Sequence, residues 1–311
     1  MKEKMLFKTL VVGVIVLFTG VGINPAVAKN QNNTISTPIG NTLYVGGSGL
    51  GNYTKIQDAI EDASDDDTVY VFNGTYLENL IVNISISLIG EDKYLTIIDG
   101  TMSGNVIDIY ADFVNIYGFT IINSGEDYCG INLNSNHNNI INNIIMQNNW
   151  GIYLEWFKSN NNIIHRNNVS NNNAGISIIT SNNNSITENV IDSNYHYGIS
   201  LYSSGCKNII SRNKITSNTI FGFIMGFDPH YNDSFEYNSI TNNIFIENGK
   251  NAQIVIYGFI SLISNKWCGN YWDKPRVAPK LITGLFFIKD FKFPIFNVDW
   301  NPAKEPYDID V

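Results

Sequence analysis

Asn142-Asn143-Ile144 to Gln147, Asn167-Asn168-Val169 to Asn172, Asn189-Val190-Ile191 to Asn194 and Asn213-Lys214-Ile215 to Asn218 are versions of one short pattern. It is an Asn, any residue, an apolar residue, two more, then Asn or Gln. Asn238-Ser239-Ile240 to Asn243 and Asn265-Lys266-Trp267 to Asn270 continue it, and a diverged first copy runs from Gly118 to Asn123. The starts fall 24, 25, 22, 24, 25 and 27 residues apart. Self-similarity at such a period signals an architecture of stacked repeats.

The spacing inside one repeat says what is stacked. An apolar residue stands three or four positions before most starting Asn (Ile163, Ile164, Ile186, Ile209, Ile210, Phe235), and another stands two after it. A third group follows Gly in Gly151-Ile152-Tyr153-Leu154, Gly175-Ile176-Ser177-Ile178 and Gly198-Ile199-Ser200-Leu201. These are three short runs of period two, the signature of strands and not of a helical stripe. Three strands and their turns in one repeat make a triangular coil. Successive coils then stack at ~4.8 Å, each pairing its backbone with the coils above and below. The expectation is an all-β, single-stranded parallel β-helix of nine or ten coils, with Ile, Val and Leu in continuous inward columns.

A buried amide is costly alone, so the recurring Asn needs a partner. Stacking puts the Asn of one rung over that of the next, where each donates and accepts along a ladder or to turn backbone. Asn also tolerates the left-handed conformation of tight corners. Both are structural roles, and Asn→Asp along such a ladder would stack like charges.

Around this repeat the chain reads in order. Lys2, Lys4 and Lys8 precede an apolar run from about Leu10 to Val21, followed by Ala26-Val27-Ala28, the parts of a secretory signal. The run is short for a transmembrane helix, so residues 1–28 are expected to be removed, leaving no stable membrane span. Loss of three Lys and one Glu takes the formal charge from −9 to −11. A chain that acidic disfavours nucleic acid and anionic membrane faces. Residues 29–41 read as a polar linker. Leu43-Tyr44-Val45 is a strand, and Thr54-Lys55-Ile56-Gln57 reads as a capping box opening a short helix with Ile56, Ala59, Ile60 and Ala63 on one face. That helix would cap the open apolar end of the stack. Asp65-Asp66-Asp67 then precedes the strand Thr68-Val69-Tyr70-Val71, and solvation accounts for the three acids.

The run Ile56-Gln57-Asp58-Ala59-Ile60, Asp67 to Val71, Asn73-Gly74-Thr75-Tyr76, Glu78-Asn79-Leu80 and Ser85 to Gly90 resembles the opening coils of pectin-lyase-like right-handed β-helices. The Asn-rich coils resemble the NosD-type branch, whose repeats are associated with carbohydrate-binding and sugar-hydrolysing proteins. Gly269-Asn270-Tyr271-Trp272 is similar to the aromatic signature ending many members. The resemblance covers about 42–272 and implies a right-handed solenoid there. After it, residues 273–311 form a Pro- and aromatic-rich tail that reads as a second cap, with its aromatics laid on the last coil. Cys129, Cys206 and Cys268 read as lone or buried thiols; about three coils separate the first two, ~14 Å and beyond the reach of a bridge.

NosD proteins serve copper-site maturation, so one role the resemblance implies is periplasmic copper maturation. The chain has His137, His165, His196 and His230 but no paired His and no Cys-x-x-Cys; no metal site and no cofactor is expected. Gly226-Phe227-Asp228-Pro229-His230 resembles the Tyr-Gly-Phe-Asp-Pro-His signature of mannuronan C5-epimerases. That resemblance would make His230 a proton-transfer residue and Asp228 the group orienting it, in a C5-epimerase or lyase. Met225 stands where that family has Tyr, and Tyr231 stands where an acidic residue often follows. No Gly-His-Gly pattern of other polysaccharide-cleaving β-helices is present. The other bland reading of Asp228 and His230 is an irregular turn.

A binding reading needs only a surface. Outward positions on one sheet include Tyr153, Glu155, Ser177, Ile179, Ser200, Tyr202 and Ile224, with Trp156 and Tyr231 in adjoining turns. Aromatic faces flanked by polar groups suit sugar rings. The function expected is therefore a secreted or cell-envelope β-helix protein associated with a polysaccharide or surface glycan, through Tyr153, Glu155, Trp156, Tyr202 and Tyr231. If the leader is removed as read, mass spectrometry of protein from its native host finds Lys29 as the first residue. An intact Met1 contradicts it.

Overall fold

The computed structural model describes residues 40–155, 158–202, 205–226, 237–257, 265–288, 291–309 and 311. One coil shows the path. Strand Asn139–Ile141 turns sharply into Ile144–Met146, a second corner leads to Trp150–Leu154, and a longer connection reaches Ile163–His165, which pairs in parallel with Asn139–Ile141. About nine such turns make a right-handed parallel β-helix. Among the described residues its first sheet has 10 strands, from Thr42–Val45 to Lys266–Cys268, and its second has 9, from Gly74–Leu77 to Tyr271–Trp272. The third has 10, starting at Leu80–Val82.

Alternation turns every second residue inward, and in-register pairing stacks like on like. Ile140, Ile164, Ile186 and Ile210 form one column, and Ile121, Ile145, Val169 and Ile191 another, all fully buried. Burying a side chain of this size is worth ~1.5–3 kcal/mol, so the columns dominate cohesion. Toward the C-terminal end they turn aromatic. Trp272 stacks on Phe245 with centroids 4.6 Å apart and lies 6.2 Å from Trp267, which ties the Gly269-Asn270-Tyr271-Trp272 signature to the closing of the core.

The polar half of the interior is three ladders of buried Asn, with members five residues apart in each coil: Asn138, Asn143 and Asn148, then Asn162, Asn167 and Asn172, then Asn184, Asn189 and Asn194. At Asn143 the backbone N–H donates to Asn167 Oδ1 at 3.0 Å, and Nδ2 donates to the same oxygen at 3.2 Å. Nδ2 also reaches the carbonyl of Ile116 one coil below (3.0 Å) and that of Ile141 (3.1 Å). Each amide thus ties three coils together. The left-handed corner is made by the residue before the ladder Asn. It is itself an Asn, as expected, at Asn142, Asn161, Asn171, Asn183 and Asn242 and another residue at His137, Arg166, Glu188 and Lys207, with φ of 53 to 61°. The ladder Asn must aim both its N–H and its side chain along the stack, so the reversal falls one residue earlier, where the side chain faces outward.

The ladders also correct the register of the repeat. Asn167 to Asn172 spans the second and third ladders, whereas Asn238 to Asn243 spans the first and second. Along the second ladder the steps are 22 residues from Asn167, 24 from Asn189 and 30 from Asn213. The apparently even period hides one long coil, whose extra residues fall between the strands Phe221–Gly226 and Ser239–Thr241.

Both ends are closed by carboxylates. The helix Ile56–Asp62 buries Ile56, Ala59 and Ile60 on the stack, but no side chain of its own N-cap closes it. Glu78 from the next coil accepts the N–H groups of Ile56 (2.9 Å) and Gln57 (3.0 Å), so the expected capping box is replaced by a tertiary one. Nor is the Asp triplet merely solvated: buried Asp67 accepts from the N–H groups of Asn41 and Ser64, and Asp65 from that of Ser85. At the other end Lys280–Ile288 adds a parallel strand to Lys250–Tyr257, and Phe291–Asp299 returns antiparallel. Asp299, fully buried, accepts Asn270 N–H and Nδ2 (3.0 Å each) and Trp272 Nε1 (3.1 Å). The N–H and Nδ2 of Asn270, the last amide of the second ladder, both need an acceptor, and a carboxylate, which only accepts, meets both. The tail aromatics Phe291, Phe293, Phe296 and Trp300 are exposed, contrary to the expected packing on the last coil.

These contacts set the cost of change. Asn189→Ala orphans the buried N–H of Asn167 and withdraws a donor from the Ile164 and Thr187 carbonyls, at roughly 1–3 kcal/mol for each unsatisfied group. Asp299→Asn turns an NH2 toward donors and should lose a similar amount. Equilibrium urea unfolding of both variants checks this; a stability equal to that of the parent contradicts the ladder account.

Candidate functional site

Three connections close each coil, and they differ in how much they vary. The first corner is two residues in coil after coil, from Asn142-Asn143 to Gly269-Asn270, and the second is three or four. The third connection, from the third sheet back to the first, spans 155–162, 180–184, 203–208, 227–238 and 258–265. Each of these connections ends on a ladder Asn (Asn162, Asn184, Asn208, Asn238 and Asn265), so its extra residues fall before that Asn, beside the outward face of the third sheet. Loops carried by a rigid scaffold are where function concentrates. Asp228, His230 and Tyr231 belong to the longest of these connections and, with Trp156, lie outside the described residues.

In-register pairing aligns the outward face as a column: Asp108, Asn132, Tyr153, Ser177, Ser200, Ile224 and Gln253. Glu155, Ile179 and Tyr202 stand two positions further along their strands. The Trp150 and Tyr153 rings meet at 5.8 Å, tilted by 56°. Two rungs on, Tyr197 and Tyr202 meet edge to face at 6.3 Å. Between these aromatic pairs Ser200 Oγ bonds Ser177 Oγ at 3.0 Å, and both serines are buried. Ser177, Ser200 and Ile224 therefore point outward without being available, which corrects the expectation of an open row. Tyr202 packs against Gly226, where an added Cβ would stand 2.5 Å from its ring. The same close approach keeps glycine on the inner edge, where a Cβ at Gly151 would meet the Gly175 carbonyl at 2.7 Å and Asn172 Nδ2 at 3.0 Å.

The face carries carboxylates toward its N-terminal rungs, Asp108 and Glu155. Asp108 accepts Nδ2 of Asn105 (2.8 Å) and of Asn132 (2.9 Å). The Asp108 charge, then burial and the Glu155 charge, push the Tyr110 phenol up. Burial chiefly, with the same two carboxylates, pushes the Cys129 thiol up. Burial, aided by Tyr197, pushes up the Tyr202 phenol as well. Tyr153 and Glu155 are half-buried beside this field, and the structure thus brings together Tyr153, Glu155 and Tyr202 of the expected residues. Asp108, Tyr110, Trp150 and Tyr197 join them; sequence reasoning missed these because the Gly-anchored count looked only at positions after each Gly.

The described histidines stand apart. His137 stacks on Phe113 at 5.0 Å, His165 Nδ1 sits 3.2 Å from the Thr187 carbonyl and 3.1 Å from its hydroxyl, and His196 lies beside the Tyr195 ring at 5.1 Å. Burial holds His165 below the usual imidazole range. No disulfide joins Cys129, Cys206 and Cys268.

A buried, electronegative surrounding makes Cys129 inert. Iodoacetamide at pH ~8, where an ordinary thiol is partly ionised, should leave Cys129 unmodified in the folded protein and label it in urea, as read by peptide mapping. Labelling of the folded protein at the rate of a free thiol contradicts the burial and field described.

Among solved structures the chain is similar to pectate lyase Pel9A, with 14% identity over 74% of each chain and a TM-score of 0.58. It is also similar to the A-module of mannuronan C-5 epimerase AlgE6 from Azotobacter vinelandii, with 12% identity over 71% of this chain and 73% of that one and a TM-score of 0.49. At such identities the likeness is one of fold. No curated protein matches the chain. The family model described as periplasmic copper-binding protein (NosD) matches residues 60–277, more than half of the sequence, and the chain belongs to the NosD family.

Proposed function

We propose that this protein is a carbohydrate-associated β-helix protein of the cell exterior or envelope, and that it holds a glycan on the outward face of its third sheet. The observation that carries the reading is the pair of aromatic steps, Trp150 with Tyr153 and Tyr197 with Tyr202, two rungs apart on one rigid face beside Asp108 and Glu155. Apolar sugar faces stack on such rings while carboxylates and amides accept from hydroxyl groups at the edges. The ladders fix the rungs, so this surface is organised before any ligand arrives.

The long connection after Gly226 favours a second reading, a C5-epimerase or lyase using Asp228 and His230. Its weakness is the partner group. Met225, in place of the family's Tyr, is fully buried. Tyr202, the neighbouring phenol, is held against Gly226 with its proton more firmly bound than usual, whereas an efficient general acid has a pKa near the working pH. Binding without turnover is therefore the preferred form.

The family's description as copper-binding invites a third role, and the described residues do not fit it. Copper sites converge several imidazole, thiolate or thioether ligands on one ion. Here His137, His165 and His196 occupy different corners and faces, each engaged with its own neighbours, and among the described residues no three His, Cys, Asp or Glu side chains converge. No step is built on copper.

Incubation of the chain from Lys29 onward with a panel of neutral and acidic polysaccharides tests the first two readings together, with binding, unsaturated products and deuterium uptake at C5 as readouts. Binding without turnover is expected, weakened roughly two- to tenfold in Tyr153→Ala or Tyr202→Ala, as the loss of one ring contact implies. Turnover that falls ~10²- to 10⁴-fold in His230→Ala would instead establish the enzyme and overturn the binding reading.

A further inference from the structure

The C-terminal hairpin presents an apolar outer face. In Lys280–Ile288 the inward residue Ile282 is buried, and alternation therefore puts Leu281, Leu285 and Phe287 outward. Their partners across the antiparallel pair are Val298, Pro294 and Lys292, with Phe296 opposite Thr283. The outward surface of the hairpin is thus apolar over six side chains and carries Lys292 Nζ 5.8 Å above the Phe287 ring. It is open to solvent: Leu281 is 49% exposed, Phe296 57% and the adjoining Trp300 75%. Pro294 removes a donor from this edge strand, so a further strand is discouraged from pairing with it. What the hairpin offers is its face.

Charge selects the occupant. The chain carries a net −9, yet from Asp273 to Asp299 it has five basic side chains, Lys274, Arg276, Lys280, Lys289 and Lys292, against three acidic ones, of which Asp299 is buried. Asp273 already accepts from the Glu247 N–H and from Asn251 Nδ2. An exposed apolar face with Phe and Trp, set in a cationic segment of an otherwise acidic protein, matches the interfacial zone of an anionic bilayer, where aromatics enter the headgroup boundary and lysines meet lipid phosphates. We propose that the hairpin 280–299 is a peripheral docking surface for an anionic lipid membrane. It lies flat on the bilayer and does not span it; no described helix is long and apolar enough to cross a membrane. Net charge alone argues against an anionic membrane partner, but the screening length is ~8–10 Å at physiological salt, so the segment meets a surface with its own charge rather than the chain's.

Co-sedimentation of the chain from Lys29 onward, which contains the whole solenoid but not the apolar leader, tests this. The probes are vesicles of phosphatidylcholine alone and of phosphatidylcholine with about a third phosphatidylglycerol. Binding to the anionic vesicles only is expected, weakening in high salt. Lys274→Gln with Lys292→Gln should weaken it roughly 25-fold, about fivefold for each charge. Leu281→Ser with Phe296→Ser should abolish it at an unchanged melting temperature, since both side chains are exposed. Equal binding to neutral vesicles overturns the proposal, as does full retention in either double variant. So does a doubling of mass in light scattering that Leu281→Ser with Phe296→Ser removes while no vesicle binding occurs, because the face then belongs to a second copy.

Discussion

A backbone N–H of one coil and the side-chain oxygen of an Asn in the next make the bond on which the rest of this structure rests. Repeated at three corners of each coil, it converts the most expensive feature of a solenoid, polar backbone turned toward an apolar interior, into a cohesive element. It also sets directions. Each amide sends its N–H and Nδ2 to the side-chain oxygen of the next coil and Nδ2 also to a carbonyl of the coil below, and the last amide of the second ladder finds its acceptor in Asp299. A carboxylate fully enclosed at the end of a stack of amides would otherwise be hard to account for.

The same constraint sorts the molecule into scaffold and variable surface. Where the ladders run, from Asn143 on, the first corner stays at two residues and the second at three or four, whereas before them the second reaches seven, at 100–106. The third connection accepts insertions freely, up to the 30-residue step from Asn213 to Asn243, and it borders the face with aromatic pairs and carboxylates. Rigidity and variability thus meet along one line of the solenoid. The rungs supply rings at fixed spacing, Ser200 and Ser177 are withdrawn into a buried hydrogen bond, and the differences between coils are expressed beside them.

Much of this could be read in the chain. Ile at period two, the recurring Gly of the third strands and the recurrence of Asn are enough for a parallel β-helix, because each reflects a contact that repeats from coil to coil, and its right hand came from the family resemblance. The first helix and its buried face were equally legible. What was not legible depends on contacts between coils far apart in sequence. Glu78 capping Ile56 and Gln57 leaves no local signature, and Thr54 at the expected position suggested a nearer partner. Three ladders with the same five-residue spacing look alike in sequence, so Asn238 to Asn243 passed for the equivalent of Asn213 to Asn218, and the long coil was masked. At the site, alternation gave the direction of Ser177 and Ile224 but not their burial. The exposure of Phe296 and Trp300 was missed for a related reason: aromatic tails are ordinarily read as core, and only pairing showed a hairpin with two sides.

Hydrogen exchange of the Asn side-chain amides, followed by NMR on protein labelled with 15N at Asn, tests the central claim most directly. If the ladders hold the fold, the Nδ2 protons of Asn143, Asn167, Asn189 and Asn213 exchange only through global unfolding, with protection equal to that of the buried strand amides beside them. Exchange of these protons at the rate of a solvent-exposed Asn, while the strand amides stay protected, would show that the ladders are incidental to the stack.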